Sequence, residues 1–411
     1  MAVTPHRTTI ELVRTQFPAL ASGFAFFENA GGSQVPAQVL ERMRDLMLRG
    51  YVQTGAGYPA SDIVDKTVAE SKRYANVLMN GGDTGLTVIG PSTTDLLYRL
   101  SNSLAHTIKP GDEIVIGVTN HESNIGPWLR LKSAGAVIKW WGVDQETGEY
   151  SYDELTELLS ENTKIVAVAH TSNLLGDILD VKRVTAMAHA IGAIVVVDGV
   201  AFAPHEAVDV QALGADFYVL SLYKVYGPHI ALLFGTHEAW SNVKGPNHFF
   251  IKEGDLPWKF ELGCQPYEAL AGLLGVGDYL SLVAGNPLPI HDRPTIEAAY
   301  GVFKDLERPV QERIVEYLLS KPQVRFVGPR SSDKSRRHPT VSFIHREKPS
   351  DQFVRHVNGD RIGIRYGHMY AARLCEALGA PLDTGFVRIS AVHYNTTDEA
   401  DRLIAALEVA I

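Results

Sequence analysis

The strongest constraint on the fold is an alternation, between residues 85 and 235, of short apolar runs with longer amphipathic segments. The apolar runs are rich in Val, Ile, Leu and aromatic residues and are bounded by Gly, Asp, Asn or Ser, which is typical of buried strands. Such alternation predicts a mostly parallel sheet with helices on both faces. The predicted strands are 86–89, 113–118, 137–141, 165–169, 193–197, 217–220 and 230–234, and the predicted helices are 94–106, 125–132, 152–159 and 184–189.

The pattern changes near residues 282–293, where Gly and Pro cluster in the segment LVAGNPLPIHDR. We therefore predict a large domain over residues 20–284 and a smaller α+β domain made of residues 1–19 and 285–411. The smaller domain is predicted to contain a long helix, three strands and a final helix. These segments are 295–319, 324–327, 340–345, 386–389 and 397–409.

The composition excludes several classes of protein. The 411 residues include 47 acidic and 38 basic side chains, and a net charge of −9 argues against a nucleic-acid partner. Two cysteines cannot form a disulfide framework and favour a reducing, cytoplasmic location. The N-terminal segment lacks the apolar region of a secretory signal, and no apolar run approaches the length of a membrane span. Histidine spacing indicates no metal site.

Polar residues follow five of the predicted strands. Because ligands bind beyond the carboxyl ends of the strands in such sheets, we expect these residues to face one site. The turn at 90–95, which contains Ser92, Thr93 and Thr94, opens a helix and suits either a phosphate group or a simple N-cap. The other strands are followed by segments that contain His121, Asn173, Asp198, and Ser221 with Tyr223 and Lys224.

Lysine, aspartate and a phosphate-binding turn together match the requirements of pyridoxal 5'-phosphate (PLP). A partly desolvated Lys224 can act as a nucleophile towards an aldehyde. Asp198 emerges from an apolar strand and needs a cationic partner, which a protonated pyridine nitrogen would provide. Each residue also has a structural alternative: an exposed lysine for Lys224, a helix cap for Asp198, and a hydrogen-bonded strand-end histidine for His121.

Several motifs then point to one family. Six segments resemble class V aminotransferases of the PLP-dependent fold-type-I superfamily, within its cysteine desulfurase-like branch, and they occur in this family's order. Along the chain they are FFENAGGSQVP, NHESNIGPW, TSNLLG, VVVDG, DFYVLSLYKVYGPH and FVRISAVHYNTTDEADRL. The resemblance implies the PLP-transferase fold and a homodimer with shared active sites. It also implies that the loop around Cys264 reaches the partner's site.

The resemblance also implies a role for each candidate residue. Lys224 would bind PLP as a Schiff base and move protons at the substrate Cα, Asp198 would pair with the pyridine nitrogen, and His121 would stack on the ring. Asn173 would lie near the phenolic oxygen and the substrate. The implied phosphate-binding residues are Ser92, Thr93, Thr94, Ser221 and Tyr223, and the implied residues for the substrate carboxylate are Arg388 and Arg365. Asn173 could instead be a turn residue, and Arg388 a structural ion-pair residue.

Three positions depart from the family pattern. Cysteine desulfurases accept sulfur on a cysteine after an Arg-x-Gly-His segment, and Tyr370 stands at that position, while Cys375 reads as a buried apolar residue. Ala201 replaces a glutamine near the phenolic oxygen, and Cys264 replaces a phosphate-binding threonine. Persulfide transfer is therefore not expected.

These features predict a PLP-dependent enzyme whose small-molecule substrate is an amino acid and which acts through a Cα carbanion. We favour a β-elimination lyase, of the C–S lyase or desulfurase-like kind but without a persulfide cysteine. The alternatives on the same scaffold are decarboxylation or cyclisation, epimerisation or racemisation, and transamination. A PLP-binding regulator is the alternative without catalysis.

Overall fold

The structure is a computed structural model, and it describes residues 9–411. Within these residues the strands form one seven-stranded sheet, one four-stranded sheet and one two-stranded pair. The strands are β1 Ala25–Phe26, β2 Gly85–Gly90, β3 Glu113–Gly117, β4 Val137–Trp141, β5 Thr163–Ala169, β6 Ile194–Asp198, β7 Phe217–Ser221, β8 Ala231–Thr236, β9 Val324–Val327, β10 Thr340–His345, β11 Ile362–Gly363, β12 Arg365–Gly367 and β13 Phe386–Ser390. The helices are α1 Ile10–Thr15, α2 Ala37–Arg49, α3 Pro59–Met79, α4 Thr93–Leu104, α5 Gly126–Leu129, α6 Tyr152–Leu158, α7 Val181–His189, α8 Val210–Leu213, α9 His237–Ser241, α10 Tyr267–Val283, α11 Arg293–Leu319, α12 Ser350–Gly359, α13 Ala372–Ala377 and α14 Thr397–Ala410.

The large sheet has the strand order β2-β8-β7-β6-β5-β3-β4. The strands from β7 to β4 are parallel, whereas β8 is antiparallel to both of its neighbours. The connection between β7 and β8 is too short for a crossover helix, so the two strands must run in opposite directions. The prediction of a mostly parallel α/β sheet is confirmed.

Helices cover both faces of this sheet, which explains why its strands are apolar along their whole length. In β3, Ile114 and Ile116 pack into the core on one face, and Val115 packs into the core on the other. Alternation of side chains across a strand therefore places each carboxyl end between two layers of helices.

The C-terminal elements are built around the four-stranded antiparallel sheet, whose order is β12-β13-β10-β9. β1 pairs with β11, so Ala25 and Phe27 pack in the core of this second sheet although they lie early in the chain. The predicted C-terminal helices and strands are present as α11, α14, β9, β10 and β13. The division into residues 20–284 and 285–411 stays a prediction, and residues 1–8 of the predicted small domain lie outside the described residues.

Two local differences from the predicted helices have clear causes. The helix predicted over 125–132 is the single turn α5 followed by a 3₁₀ segment, Arg130–Ala134. The pattern failed to indicate α10, because this helix is buried nearly all round and so has no polar face. None of the helices within residues 9–411 combines the length and the apolar character that crossing a bilayer requires.

Candidate active site

A cavity of about 520 Å³ opens at the carboxyl ends of β5, β6 and β7. Every residue that the sequence predicts for cofactor binding lines this cavity. A second, wider cavity shares His121, Asn173 and Lys224 with it and adds Arg365 and Arg388, the two residues predicted for the substrate carboxylate. The predicted site residues therefore lie together in two connected spaces.

Lys224 lies in the 3₁₀ turn Leu222–Lys224 that directly follows β7. Its side chain is buried, with a residue exposure of 7%. The pKa of Lys224 is lowered to about 8, chiefly by burial and then by the positive charge of Arg388, while Asp198 and Glu28 act in the opposite direction. The amine is therefore far easier to deprotonate near neutral pH than that of an exposed lysine.

Asp198 is the last residue of β6, and its carboxylate is buried. Oδ1 accepts a hydrogen bond from the backbone N–H of Val200 at 2.9 Å, and the Ser123 side chain is a second, neutral donor. Burial raises the pKa of Asp198, and the Val200 N–H and Lys224 oppose this shift. A buried carboxylate held by neutral donors is best stabilised by a cation, so the site suits a protonated ring nitrogen.

His121 caps the 3₁₀ turn Glu122–Asn124. Its Nδ1 accepts a hydrogen bond from the backbone N–H of Ser123 at 3.1 Å and lies 2.8 Å from the Ser123 hydroxyl. The pKa of His121 is lowered to about 3, chiefly by burial and also by the positive charges of Lys224 and Arg388. The imidazole is therefore neutral at physiological pH and offers an uncharged flat face.

Hydroxyl groups surround the N-terminus of α4. Thr93 Oγ1 lies 2.7 Å from Ser221 Oγ, and Thr94 follows in the first turn of the helix. Ser92 is the N-cap residue, because its Oγ accepts from the backbone N–H of Asp95 at 3.1 Å. Tyr223 lies on the same cavity and stacks on His229 with ring centroids 4.8 Å apart. The hydroxyls and the helix dipole together suit a phosphate group.

Asn173 lies in the turn after β5 and contacts the C-terminal part of the chain. Its Nδ2 donates to the backbone oxygen of Met369 at 2.9 Å, and its own backbone oxygen accepts from Arg388 Nη1 at 3.2 Å. The Oδ1 atom is buried and has no hydrogen-bond partner among residues 9–411. Since buried polar atoms are normally paired, this oxygen is available to a ligand donor.

Two further bonds hold the same turn to the C-terminal elements. The Ser342 hydroxyl donates to the backbone oxygen of Leu174 at 2.7 Å, and Arg337 Nη2 donates to that of Leu175 at 2.9 Å. The turn at 173–175 is thus fastened to β10 and its neighbours as well as to β5.

Arg388 is a buried residue of β13, and Arg365 is an exposed residue of β12. Both guanidinium groups pair with Oε1 of Glu28, at 3.0 Å from Arg388 Nη2 and 3.4 Å from Arg365 Nη1. Burial lowers the pKa of Arg388 to about 10, so this residue stays charged at neutral pH. Sequence reasoning missed Glu28 as a site residue, because nothing in the local pattern shows that it faces β13.

Tyr370 stands beside His121 at the rim of the wider cavity, with ring centroids 5.3 Å apart. Met369 and Tyr370 have φ angles of +46° and +59°, a left-handed conformation that costs about 1–2 kcal/mol per residue. The backbone oxygen of Tyr370 accepts from the Glu122 N–H at 2.8 Å, which helps to hold this conformation.

Neither of the two cysteines lines these cavities. Cys375 is fully buried in α13, and burial raises the pKa of its thiol to about 12. Cys264 is exposed and lies beside Gln53.

The donor set fits PLP. A buried amine is present for the aldehyde, a carboxylate for the ring nitrogen, a neutral imidazole for the ring face and hydroxyls at a helix start for the phosphate. The unpaired Asn173 oxygen adds a buried acceptor to the set. Among residues 9–411, no group of three or more His, Cys, Asp or Glu side chains is arranged to hold a metal ion.

Known proteins resemble the chain over almost its whole length. It is 39% identical to the aminotransferase-like protein FGM3 of Gibberella zeae, over 98% of both chains. It is 30% identical to the cysteine desulfurase-like protein ustD of Aspergillus flavus, over 97% of this chain and 90% of that protein. The structure of a cysteine desulfurase from Thermococcus onnurineus NA1 superposes with a TM-score of 0.86 at 26% identity, covering 100% of this chain and 99% of the other.

The family described as aminotransferase class-V matches residues 25–403, which is most of the chain. The fold agrees with this match, because the similar solved structures share the α/β architecture of PLP-dependent fold type I. The match and the curated relatives together show that the chain belongs to the class V aminotransferase family of PLP-dependent enzymes.

Proposed function

We propose that the enzyme uses PLP bound to Lys224 to eliminate a leaving group from Cβ of an amino acid, and that no cysteine of the chain accepts sulfur. The observation that carries this proposal is the identity of the residue on the substrate side of the site. Tyr370 lines the wider cavity together with Lys224, whereas neither cavity is lined by Cys264 or Cys375.

The cofactor, when bound, supplies an electron sink that stabilises negative charge at the substrate Cα. Asp198 keeps the ring nitrogen protonated, because its buried carboxylate favours a neighbouring cation. Thr93, Thr94 and Ser221 bind the phosphate group, and the neutral imidazole of His121 covers the ring face.

Lys224 is the base at the substrate Cα. A base is most effective when its pKa lies near the working pH, and the pKa of about 8 for this lysine meets that condition. The same amine can return the proton to the departing group or to the product. Burial of the residue limits competition from bulk water.

Arg388 binds the substrate carboxylate. Its guanidinium is buried, charged and planar, which suits a forked pair of hydrogen bonds to a carboxylate. The Nε atom is buried and has no partner among residues 9–411, so it remains available to a ligand oxygen. Arg365 contributes a second positive charge at the mouth of the same cavity.

The fate of the leaving group follows from Tyr370. A phenol cannot accept sulfur as a persulfide, so a sulfur leaving group departs as a free thiol or sulfide. The thiol of Cys375 is fully buried and has a raised pKa, which leaves it unreactive.

We also propose a cytoplasmic homodimer. The segment 249–262 exposes Phe249 to 99% and also exposes Phe250, Trp258 and Leu262, an amount of apolar surface that favours association. The loop at Cys264 follows directly and is the piece proposed to reach the partner's cavity. The two free cysteines suit a reducing compartment. Sedimentation velocity tests the dimer, and a monomer at micromolar concentration would contradict it.

The reaction is tested with a panel of β-substituted amino acids, including L-cysteine. The purified protein should absorb near 420 nm (about the usual position of a lysine-bound PLP band), and Lys224→Ala should remove this band. We expect one pyruvate and one ammonia for each substrate consumed, and we expect Cys375→Ala to form them as the wild type does. Alanine formed from cysteine, with a persulfide on Cys264 or Cys375 in the mass spectrum, would overturn the proposal.

Other products would assign the protein to one of the alternative reactions. Carbon dioxide without pyruvate indicates decarboxylation, an inverted Cα indicates epimerisation, and an amino group passed to a keto acid indicates transamination. An intact 420 nm band with no turnover of any substrate would favour a PLP-binding regulator.

A further inference from the structure

Glu28 is placed beside Arg388 by the backbone that follows β1. The residue forms a parallel bridge with Ser390, two positions beyond Arg388 in the chain. The backbone N–H of Ser390 donates to the Phe27 oxygen at 2.7 Å, and the N–H of Ala30 donates to the Ser390 hydroxyl at 2.8 Å. The position of Glu28 against β13 is therefore fixed on both sides of the residue.

The Glu28 carboxylate makes the contact that a substrate carboxylate needs. Its Oε1 lies 3.0 Å from Arg388 Nη2 and 3.4 Å from Arg365 Nη1. The Glu28 side chain is 34% exposed, whereas that of Arg388 is 3% exposed. The carboxylate can therefore move into solvent while the arginine stays in place.

Gly31 leaves the room that this carboxylate occupies. A Cβ atom at position 31 would lie 2.1 Å from Glu28 Oε1, and the next nearest atoms would be Cδ and Oε2 of the same side chain. Any larger residue at position 31 must displace the Glu28 carboxylate from this position. The glycine and the ion pair are thus two separate observations that point to the same built position for a carboxylate.

We propose that Glu28 is a specificity-determining residue that holds the carboxylate position on Arg388 in the free enzyme and leaves it when substrate binds. This inference rests on the proposed function, in which Arg388 binds the substrate carboxylate. A ligand must therefore bind Arg388 better than Glu28 does. A carboxylate that makes two parallel hydrogen bonds meets this condition, and a weakly bonding anion such as chloride does not.

The ion pair between Glu28 and Arg388 also stabilises the fold of the enzyme when no substrate is bound. A buried guanidinium without a charged partner is strongly destabilising, because its charge has lost its contacts with water. Glu28 supplies that partner between turnovers, so the substrate-binding arginine can stay buried and ready.

The test is titration of the PLP-loaded holoenzyme with propionate, a monocarboxylate that has no amino group and is not turned over. Isothermal titration calorimetry gives the dissociation constant for the wild type, Glu28→Gln and Gly31→Ala. We expect both variants to bind propionate about tenfold more tightly, because each removes a partly exposed ion pair that competes for Arg388. Propionate should also raise the Tm of both variants more than that of the wild type.

The two variants remove the competitor by different routes. Glu28→Gln removes the charge and keeps the shape of the side chain, while Gly31→Ala keeps the charge and displaces it. Glu149→Gln is the matched control, because it removes an arginine-paired glutamate, 2.7 Å from Arg336, on the surface. Its affinity for propionate should equal that of the wild type.

Equal propionate affinity in the wild type, Glu28→Gln and Gly31→Ala would overturn the inference. Failure of the proposed function is recognised separately: the 420 nm band would be absent from the wild type, or Arg388→Gln would bind propionate as well as the wild type does. If Glu28→Gln does not fold, Gly31→Ala alone decides the inference, because it alters no charge.

Discussion

The lowered pKa of Lys224 makes a quantitative prediction about cofactor loading. Attack on the PLP aldehyde needs the neutral amine. With a pKa of about 8, about one Lys224 side chain in ten is neutral at pH 7, whereas a lysine at the ordinary value of 10.5 would be neutral in about one molecule in 3000. Burial and the nearby Arg388 therefore raise the reactive fraction about 300-fold at this pH.

The assay is stopped-flow reconstitution of the apoprotein with PLP between pH 6 and 10, followed near 420 nm. We expect the rate to rise about tenfold from pH 6 to pH 7 and to level off above a midpoint near pH 8. Nα-acetyl-lysine serves as the control for the titration of PLP itself, and its rate should keep rising to pH 10.

Arg388→Gln tests the direction in which Arg388 shifts the pKa of Lys224. Arg388 lowers the pKa of Lys224, so loss of its charge should move the midpoint to higher pH. A wild-type rate that still rises between pH 9 and pH 10, in parallel with the control, would refute the reasoning. A midpoint that moves to lower pH in Arg388→Gln would do the same.

Three further predictions concern neighbouring groups. Asp198→Asn should weaken PLP binding by about 100-fold, since it removes a charged partner worth about 3 kcal/mol. Equilibrium dialysis measures this affinity, and a variant that retains PLP as well as the wild type would contradict the prediction. Arg388→Lys should raise KM about tenfold with a smaller effect on kcat, because an ammonium cannot make the forked contact with the substrate carboxylate. Steady-state kinetics tests this, and an unchanged KM would show that the reasoning is wrong. Arg337→Met should lower the free energy of unfolding by about 3 kcal/mol, because Arg337 donates to the buried backbone oxygens of Leu175, Pro329 and Thr340. A urea denaturation curve that matches the wild type would exclude a stabilising role for these bonds.

Much of the fold was predictable because strands that are buried on both faces of a sheet appear in the sequence as continuous apolar runs. The apolar runs of the large sheet correspond to β2 through β8, each bounded by the residues that end strands. The antiparallel direction of β8 was not evident, since an apolar run has no direction. Helix α10 was missed because a helix that is buried all round lacks the periodicity that marks an amphipathic one.

The site was predictable where residues follow strands and unpredictable where distant segments meet. Lys224, Asp198 and Asn173 each follow a strand of the same sheet, so the topology alone brings them together. Glu28 reaches Arg388 only because β1 crosses to the C-terminal sheet and pairs with β11, a contact over more than 300 residues of chain. The sequence left a phosphate site and a simple N-cap open for the turn at 90–95, and the bond from the Asp95 N–H identifies Ser92 as the N-cap residue.

The turn at 173–175 has a mechanical consequence. Its bonds to Met369, Ser342, Arg337 and Arg388 tie the edge of the large sheet to the smaller one at the point where both meet the cavity. A sliding movement of one sheet over the other must either rupture these four bonds or drag the amide of Asn173 with it. A displacement of Arg388 that keeps these bonds is therefore transmitted through the backbone oxygen of Asn173 to the turn at the cavity.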